Sequence, residues 1–265
     1  MKQWTLLLVI MICLSCKKSI QNKFLQQEDI SLVQPRIEVK NTLIDSFINL
    51  NAKSNISGTE IYFTTDGSEP TTTSIEYDKP LIITESGTYK FKAFHPTWKS
   101  SETTAITFFK KGHHPKNIVW YSKQNEKYSG QGTLTLINQK KAALPFSNSE
   151  WVGFDSIVNA EVFFKEKTFI KSMDIGFLSD VQSWIFPPVS ITIFPNGSNN
   201  IEDIVSVQLA ELKEPSSAEM KNINIEINKE VNSLRFEIAN VQSIPTWHEG
   251  SGNKAWLFMD EWIFN

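Results

Sequence analysis

The chain has 265 residues, 40% of them hydrophobic and 21% charged, with 26 Lys and Arg against 29 Asp and Glu for a formal net charge of −3. That length holds one or two domains with real cores, and the composition excludes disordered, collagen-like and coiled-coil classes. A near-balanced charge with no basic run longer than a Lys pair lacks the electrostatic footprint of a nucleic-acid binder, so no nucleic-acid partner is expected. Eight Trp and 18 Phe are many for this length and belong in strands, cores and stacking surfaces. Four His and two Cys are too few and too scattered for a multi-ligand zinc site.

The N-terminus, MKQWTLLLVIMICLSC, places one positive charge at Lys2 before an apolar run from Leu6 to Leu14 and small residues at Ser15 and Cys16. Nine apolar residues are about half of the ~20 that span a bilayer, so residues 1–16 read as an export signal. The segment resembles a bacterial lipoprotein signal, which implies cleavage before Cys16 and acylation of that cysteine. A plain secretory signal cut nearby and an uncleaved anchor are the alternatives. Both cysteines lie in this segment, so the mature chain has no pair for an internal disulfide. Residues 17–34 are polar without a sustained period and read as a tether.

From 35 to 111 short runs alternate apolar and polar residues. Ile61, Phe63 and Thr65 share one strand face, Asp66-Gly67 follows as a turn, and Pro70, Pro80, Gly87 and Pro96 recur at short intervals. This spacing predicts a small β-sandwich. The stretch from Glu60 to Glu102 carries the turn TDGSEPT at Thr65 to Thr71, then Tyr77, Pro80 and the triplet Lys92 to Phe94. In these features it resembles the chitobiase/β-hexosaminidase C-terminal domain, an immunoglobulin-like module appended to glycoside hydrolases. Asp66 and Glu69 belong to the solvated turn, where nothing raises a carboxyl pKa, and they are not read as catalytic.

The linker KKGHHPKN, Lys110 to Asn117, is short and holds a proline, so limited freedom between domains is expected, with His113 and His114 facing solvent. Residues 118–265 are again strand-like. Val189, Ile191 and Ile193 alternate, as do Ile223, Ile225 and Ile227, and Leu234, Phe236 and Ile238, while Asn196-Gly197 marks a hairpin-type turn. Trp151, Trp256 and Trp262 fall in strand patterns and are assigned to the core. Four blocks, WVGFD at 151–155, MDIGFLSDVQSWIFPP at 173–188, LRFEIANV at 234–241 and PTWHEGSGNKAWLFMDEWIF at 245–264, resemble discoidin-like modules of the coagulation factor 5/8 type C, galactose-binding-like kind. That resemblance implies a non-catalytic jelly roll binding sugars, lipids or proteins through loops at one end. The expected fold class is therefore all-β, with two β-sandwich domains, immunoglobulin-like and then jelly-roll.

Catalysis in the hexosaminidases that carry such modules resides on a (β/α)8 barrel of about 250 residues, for which this chain has no room. It contains no HExxH, GxSxG, GxxxxGK[ST] or helix-opening GxGxxG motif. The adjacent acids Asp260 and Glu261 lie in the apparent last strand, where successive side chains point to opposite faces, so they are not expected to flank one glycosidic bond. No enzyme activity is expected.

Sugar recognition needs an aromatic platform and a few fixed polar groups. PTWHEGSGNK offers Trp247 as the platform and His248, Glu249 and Asn253 as donors and acceptors, with two loop-shaping glycines; Trp184 is a second platform. The alternative is that Trp247 packs on its own domain and His248 bonds a nearby carbonyl. No cofactor is expected. Related modules often hold a structural calcium, for which Glu261 and Asn138 are the candidate ligands, although Lys140 and Lys141 beside them oppose a cation. The expected whole is a lipid-anchored, non-catalytic protein at a bacterial outer membrane, binding glycans with N-acetylhexosamine or galactose ends for a separate hydrolase or uptake system. A docking role, or a split-off C-terminal part of a β-N-acetylhexosaminidase, is the alternative.

Overall fold

A computed structural model describes residues 30–214 and 216–265. The export signal, Cys16 and residues 17–29 of the expected tether lie outside the described residues. Ile30 and Leu32 exchange backbone hydrogen bonds with Lys99, and Leu32 is buried, so the end of the expected tether already packs on the first sandwich.

That sandwich is built from β1 (Arg36–Glu38), β2 (Leu43–Ile44), β3 (Ile48–Lys53), β4 (Glu60–Thr64), β5 (Ile75–Glu76), β6 (Leu81–Ile83), β7 (Gly87–Phe94) and β8 (Thr104–Lys110). Three strands in the order β1-β3-β6 face five in the order β2-β8-β7-β4-β5. Alternation decides what lies between them: Ile48, Leu50 and Ala52 point inward from one sheet, and Ile61, Phe63, Phe91 and Phe108 from the other. Phe63 and Phe91 stack at 5.6 Å and Tyr77 meets both edge-on. The Tyr77 hydroxyl accepts from the Ala52 N–H at 3.0 Å, tying the residue after β5 to β3 across the sandwich.

The TDGSEPT turn has the local chemistry its residues dictate. Gly67 takes φ +77, a left-handed conformation that glycine adopts without steric cost, and Asp66 accepts from both the N–H and the hydroxyl of Ser68. Glu69 is held by Thr103 and, at 3.0 Å, by Lys92. These bonds hold both carboxyls below the ordinary carboxylate value, so neither carries a proton to donate at neutral pH.

The second sandwich comprises β9 (Asn117–Trp120), β10 (Val152–Phe154), β11 (Val158–Ser179), β12 (Ser190–Pro195), β13 (Val205–Gln208), β14 (Glu219–Ala239) and β15 (Leu257–Phe264). They form one sheet in the order β10-β15-β11-β14-β12-β13, with β9 also on β11. The two longest strands, β11 and β14, pair along their length with shifts of register between Phe163 and Thr168 and between Ile170 and Ser172. Such irregularities bend strands, and the sheet curls so that its halves face each other: Trp262 of β15 lies 4.6 Å from Phe236 of β14, and Trp120 of β9 lies 5.4 Å from Phe154 of β10. Trp151 and Trp262 are fully buried as expected, whereas Trp256 is half-buried in a second cluster with Tyr128 and Phe258. The hairpin after β12 has Asn196 at φ +53 and Gly197 at φ +65, the paired positive φ that Asn-Gly supplies.

The sandwiches meet where β8 and the linker pass the end of β15. Leu43, Phe109 and Ile263 form a small apolar cluster, the His113 N–H donates to the Phe264 carbonyl at 2.6 Å, and a Cβ on Gly112 would overlap the Phe264 backbone. His113 and His114 are exposed, as expected. Among the described residues no helix is long and apolar enough to cross a membrane. Replacing Tyr77 by Phe leaves the Ala52 N–H without its partner. Chemical denaturation of the full chain is expected to show a loss of about 1–3 kcal/mol, the cost of an unsatisfied, partly buried donor.

Candidate functional site

Three segments of the second sandwich converge at one end: 180–189 between β11 and β12, 209–214 after β13, and 240–256 between β14 and β15. Val181, Phe186, Ile244 and Ala255 form a buried floor, with Trp184, Leu212, Val241 and Trp247 packed against it half-buried. In the first loop a short 3-10 turn, Val181–Ser183, ends at Trp184, which takes φ +63. The Trp184 carbonyl accepts from the Trp256 N–H at 2.8 Å, and the Phe186 N–H donates to the Trp256 carbonyl at 2.9 Å, so the loop is pinned to the entry of β15.

His248 fastens the third loop to the first. Its Nδ1 accepts from the Gly250 N–H at 2.9 Å, which leaves Nε2–H to donate to the Val181 carbonyl at 2.8 Å. Both ring nitrogens are engaged within the protein, so His248 positions the loop, the alternative that the sequence left open beside a ligand-contacting role. Gly250 lies under the Trp184 ring, where an added Cβ would stand 2.8 Å from Cε2. Trp247 Nε1–H donates to the Leu212 carbonyl at 3.2 Å, and its ring is tilted against Phe186 at 6.1 Å. Asn253 closes the turn by donating from Nδ2 to the Gly250 carbonyl at 3.0 Å, while Glu249 is exposed. The structure therefore brings all five residues, Trp184, Trp247, His248, Glu249 and Asn253, into one loop cluster.

Beside this cluster runs a cleft of about 300 Å³, walled by Phe186, Pro187, Pro188 and Leu212, with Glu211 and Ser243 among its polar lining. Its second wall comes from the 209–214 segment, which sequence reasoning missed. No spacing or motif relates Leu212 to Trp247, 35 positions away. None of the five predicted residues lines this cleft, which Trp247 adjoins through Phe186 and Leu212; its apolar walls with a few polar groups suit a small, partly apolar ligand.

The acidic pair lies elsewhere and corrects the expectation of opposite faces. In the pairing of β11 with β15, Ile175 faces Trp262 and Phe177 faces Met259, so Gly176 alone stands opposite both Asp260 and Glu261. This bulge turns both carboxyls toward the loop 139–142. Asp260 accepts from Lys141 Nζ at 2.7 Å and from the Ala142 N–H at 3.1 Å, and Glu261 faces the N–H groups of Gln139 and Lys140, with its Oε2 left buried without a hydrogen-bond partner. Both are buried, and the space beside Glu261 is about 10 Å³, room for no more than a water. A substrate cannot reach them.

Calcium does not suit this donor set. Glu261 is met by N–H groups, whose positive ends oppose a cation where carbonyl oxygens would bind one. Asn138 is engaged at both ends, donating to Glu150 at 2.7 Å and accepting from the Lys140 N–H at 2.9 Å. Among the described residues no three His, Cys, Asp or Glu side chains converge as a metal site.

Burial pushes the Glu261 carboxyl from 4.5 up to about 8, raised further by Asp260 and opposed by the two N–H groups. The folded protein therefore holds this proton where the unfolded chain has released it. Glu261 contributes stability below pH 4.5 that is lost progressively as pH rises to about 8, by up to roughly 1.4 kcal/mol per pH unit. Glu261→Gln, neutral throughout, is expected to remove that slope. Denaturation of both proteins between pH 5 and 8 measures it, and parallel stability curves would refute the assignment.

Residues 45–106 match the family model of the chitobiase/beta-hexosaminidase C-terminal domain, the family that the TDGSEPT segment resembles. No curated protein matches the chain. Among solved structures the chain is similar to the Clostridium perfringens protein CpGH89CBM32-4 in complex with GlcNAc-α-1,4-galactose, at 13% identity over 57% of this chain and 91% of that one, with a TM-score of 0.36. It is similar to a SusE-like protein at 13% identity over 86% and 95%, with a TM-score of 0.31. A third, TmCBM61 in complex with β-1,4-galactotriose, is 12% identical over 57% and 90%, with a TM-score of 0.26. What each of these binds belongs to that protein, and the ligand here is a question for this chain's own loops.

Proposed function

We propose that this protein is a non-catalytic glycan-binding protein whose second sandwich takes an N-acetylhexosamine or galactose end at the loops around Trp184 and Trp247. In this reading it serves a separate glycoside hydrolase or glycan uptake system, held at a bacterial outer membrane by acyl chains on Cys16. The observation that carries the binding reading is the pair of half-buried indoles, fixed by Gly250 and by the Leu212 carbonyl, beside a 300 Å³ cleft. A pyranose has a C–H face of the kind that packs on an indole and hydroxyls of the kind that bond carboxylates and amides such as Glu249 and Asn253. Rings already held in place lose little freedom on binding. The non-catalytic reading is supported by the carboxyls: Asp260 and Glu261 are sealed from substrate, and Asp66 and Glu69 are ionised on an exposed turn.

Calorimetric titration of the full chain against saccharides ending in GlcNAc, GalNAc or galactose is expected to give binding. Trp184→Ala and Trp247→Ala should each weaken it about tenfold, on the order of 1.4 kcal/mol. Gly250→Ala should do the same by displacing the Trp184 ring. Binding unchanged in all three variants would reject this loop cluster. No binding to any saccharide would favour the docking reading, which the family match over residues 45–106 supports. Turnover of a chromogenic N-acetylhexosaminide would overturn the non-catalytic assignment.

A further inference from the structure

We propose that the Lys141 ammonium is a built-in cation of this fold: it neutralises the Asp260–Glu261 bulge without any metal and clamps the first sandwich onto the second through Phe109. The Lys141 side chain is 5% exposed and that of Asp260 0%, and their charged atoms are 2.7 Å apart. The ammonium also donates to Asn222 Oδ1 of β14 at 2.9 Å and lies 5.2 Å from the centre of the Phe109 ring of β8. It thus meets a carboxylate, an amide oxygen and an aromatic face, from three strands and both sandwiches, in the manner of a cation in a coordination shell. Nothing smaller than the gap left by glycine admits it, since a Cβ on Gly176 would overlap both Asp260 Oδ1 and Lys141 Nζ.

The chemistry follows from the cost of burial. A carboxylate on a strand covered on both faces needs a counter-charge held in place. A metal ion supplies one from solution and leaves when chelated. An ammonium carried on the chain supplies one that cannot dissociate, and its third bonding direction is spent on the ring of the neighbouring domain, where a desolvated cation–π contact is stronger than an exposed one. Phe109 itself packs with Leu43 and Ile263 where the two sandwiches meet. Lys141 is therefore both the charge balance of one domain and a tie to the other.

Thermal melting of the full-length chain tests both roles. The wild type is expected to melt at the same temperature in calcium chloride and in EDTA; a rise with calcium or a fall with EDTA would overturn the metal-free assignment. Lys141→Met removes the charge with little change of shape and should lower the midpoint by roughly 10 °C, because it strands the Asp260 carboxyl. Lys141→Met with Asp260→Asn should regain most of that loss, and a double variant as unstable as the single would show that charge is not at issue. In a double-mutant cycle of Lys141→Met with Phe109→Leu, non-additive shifts are expected. Additive shifts would remove the clamp. If Lys141→Met does not fold, Asp260→Asn alone, which leaves the ammonium without its carboxylate, carries the same test against the wild type.

Discussion

A carboxylate taken out of water costs several kcal/mol unless the protein answers its charge, and β15 takes in two in succession. All eight of its residues are buried because β10 and β11 flank it and both faces are covered. The bulge opposite Gly176 brings Asp260 and Glu261 against one loop, and that loop answers them differently: Asp260 receives an ammonium, Glu261 two backbone N–H groups. The path of residues 134–143 is thereby set, with Gln139 at φ +61 to aim its N–H and Asn138 bracing the turn against Glu150. Burial pushes both carboxyls above their ordinary values, and at Asp260 the Lys141 ammonium and the Ala142 N–H oppose that rise.

The opposite end of the sandwich uses uncharged means for the same purpose. Its loops are joined by backbone groups and by side chains that bond to backbone, as His248 does to Val181 and Gly250, and Trp247 to Leu212. Loops carry function when a rigid scaffold positions them. Here Trp247 is fixed by its Nε1–H bond to the Leu212 carbonyl and Trp184 by its contact over Gly250, and both remain half-buried.

Much of the fold is legible in local pattern. The alternation of Ile61 with Phe63, and of Leu234 with Phe236 and Ile238, is the period of strands with one buried face, and the Asp66-Gly67 and Asn196-Gly197 turns require only the conformational freedom of their own residues. The loop cluster was legible too, through the density of aromatic and glycine residues in PTWHEGSGNK. What escaped is what arises at long range. Lys141 and Asp260 are 119 positions apart, and a lysine beside a loop reads as a surface charge until the fold brings a carboxyl to it. His248 reads as either a ligand group or a loop tie because the carbonyl that engages it belongs to another loop. The two acids read as diverging because a strand is assumed regular, and the bulge is a property of the pairing with β11, not of β15 alone.

β15 also fixes a distance. It starts beside Trp256, whose backbone holds the Trp184 loop, and ends at Phe264, whose carbonyl holds the linker from the first sandwich. Eight residues of extended chain span roughly 26 Å. The loop cluster is therefore set off by a full strand length from the surface on which the first sandwich rests, and the rod between the two is the least yielding element of the domain. Anything seated at the far end is kept clear of whatever the first sandwich stands on, like a lamp on a short post.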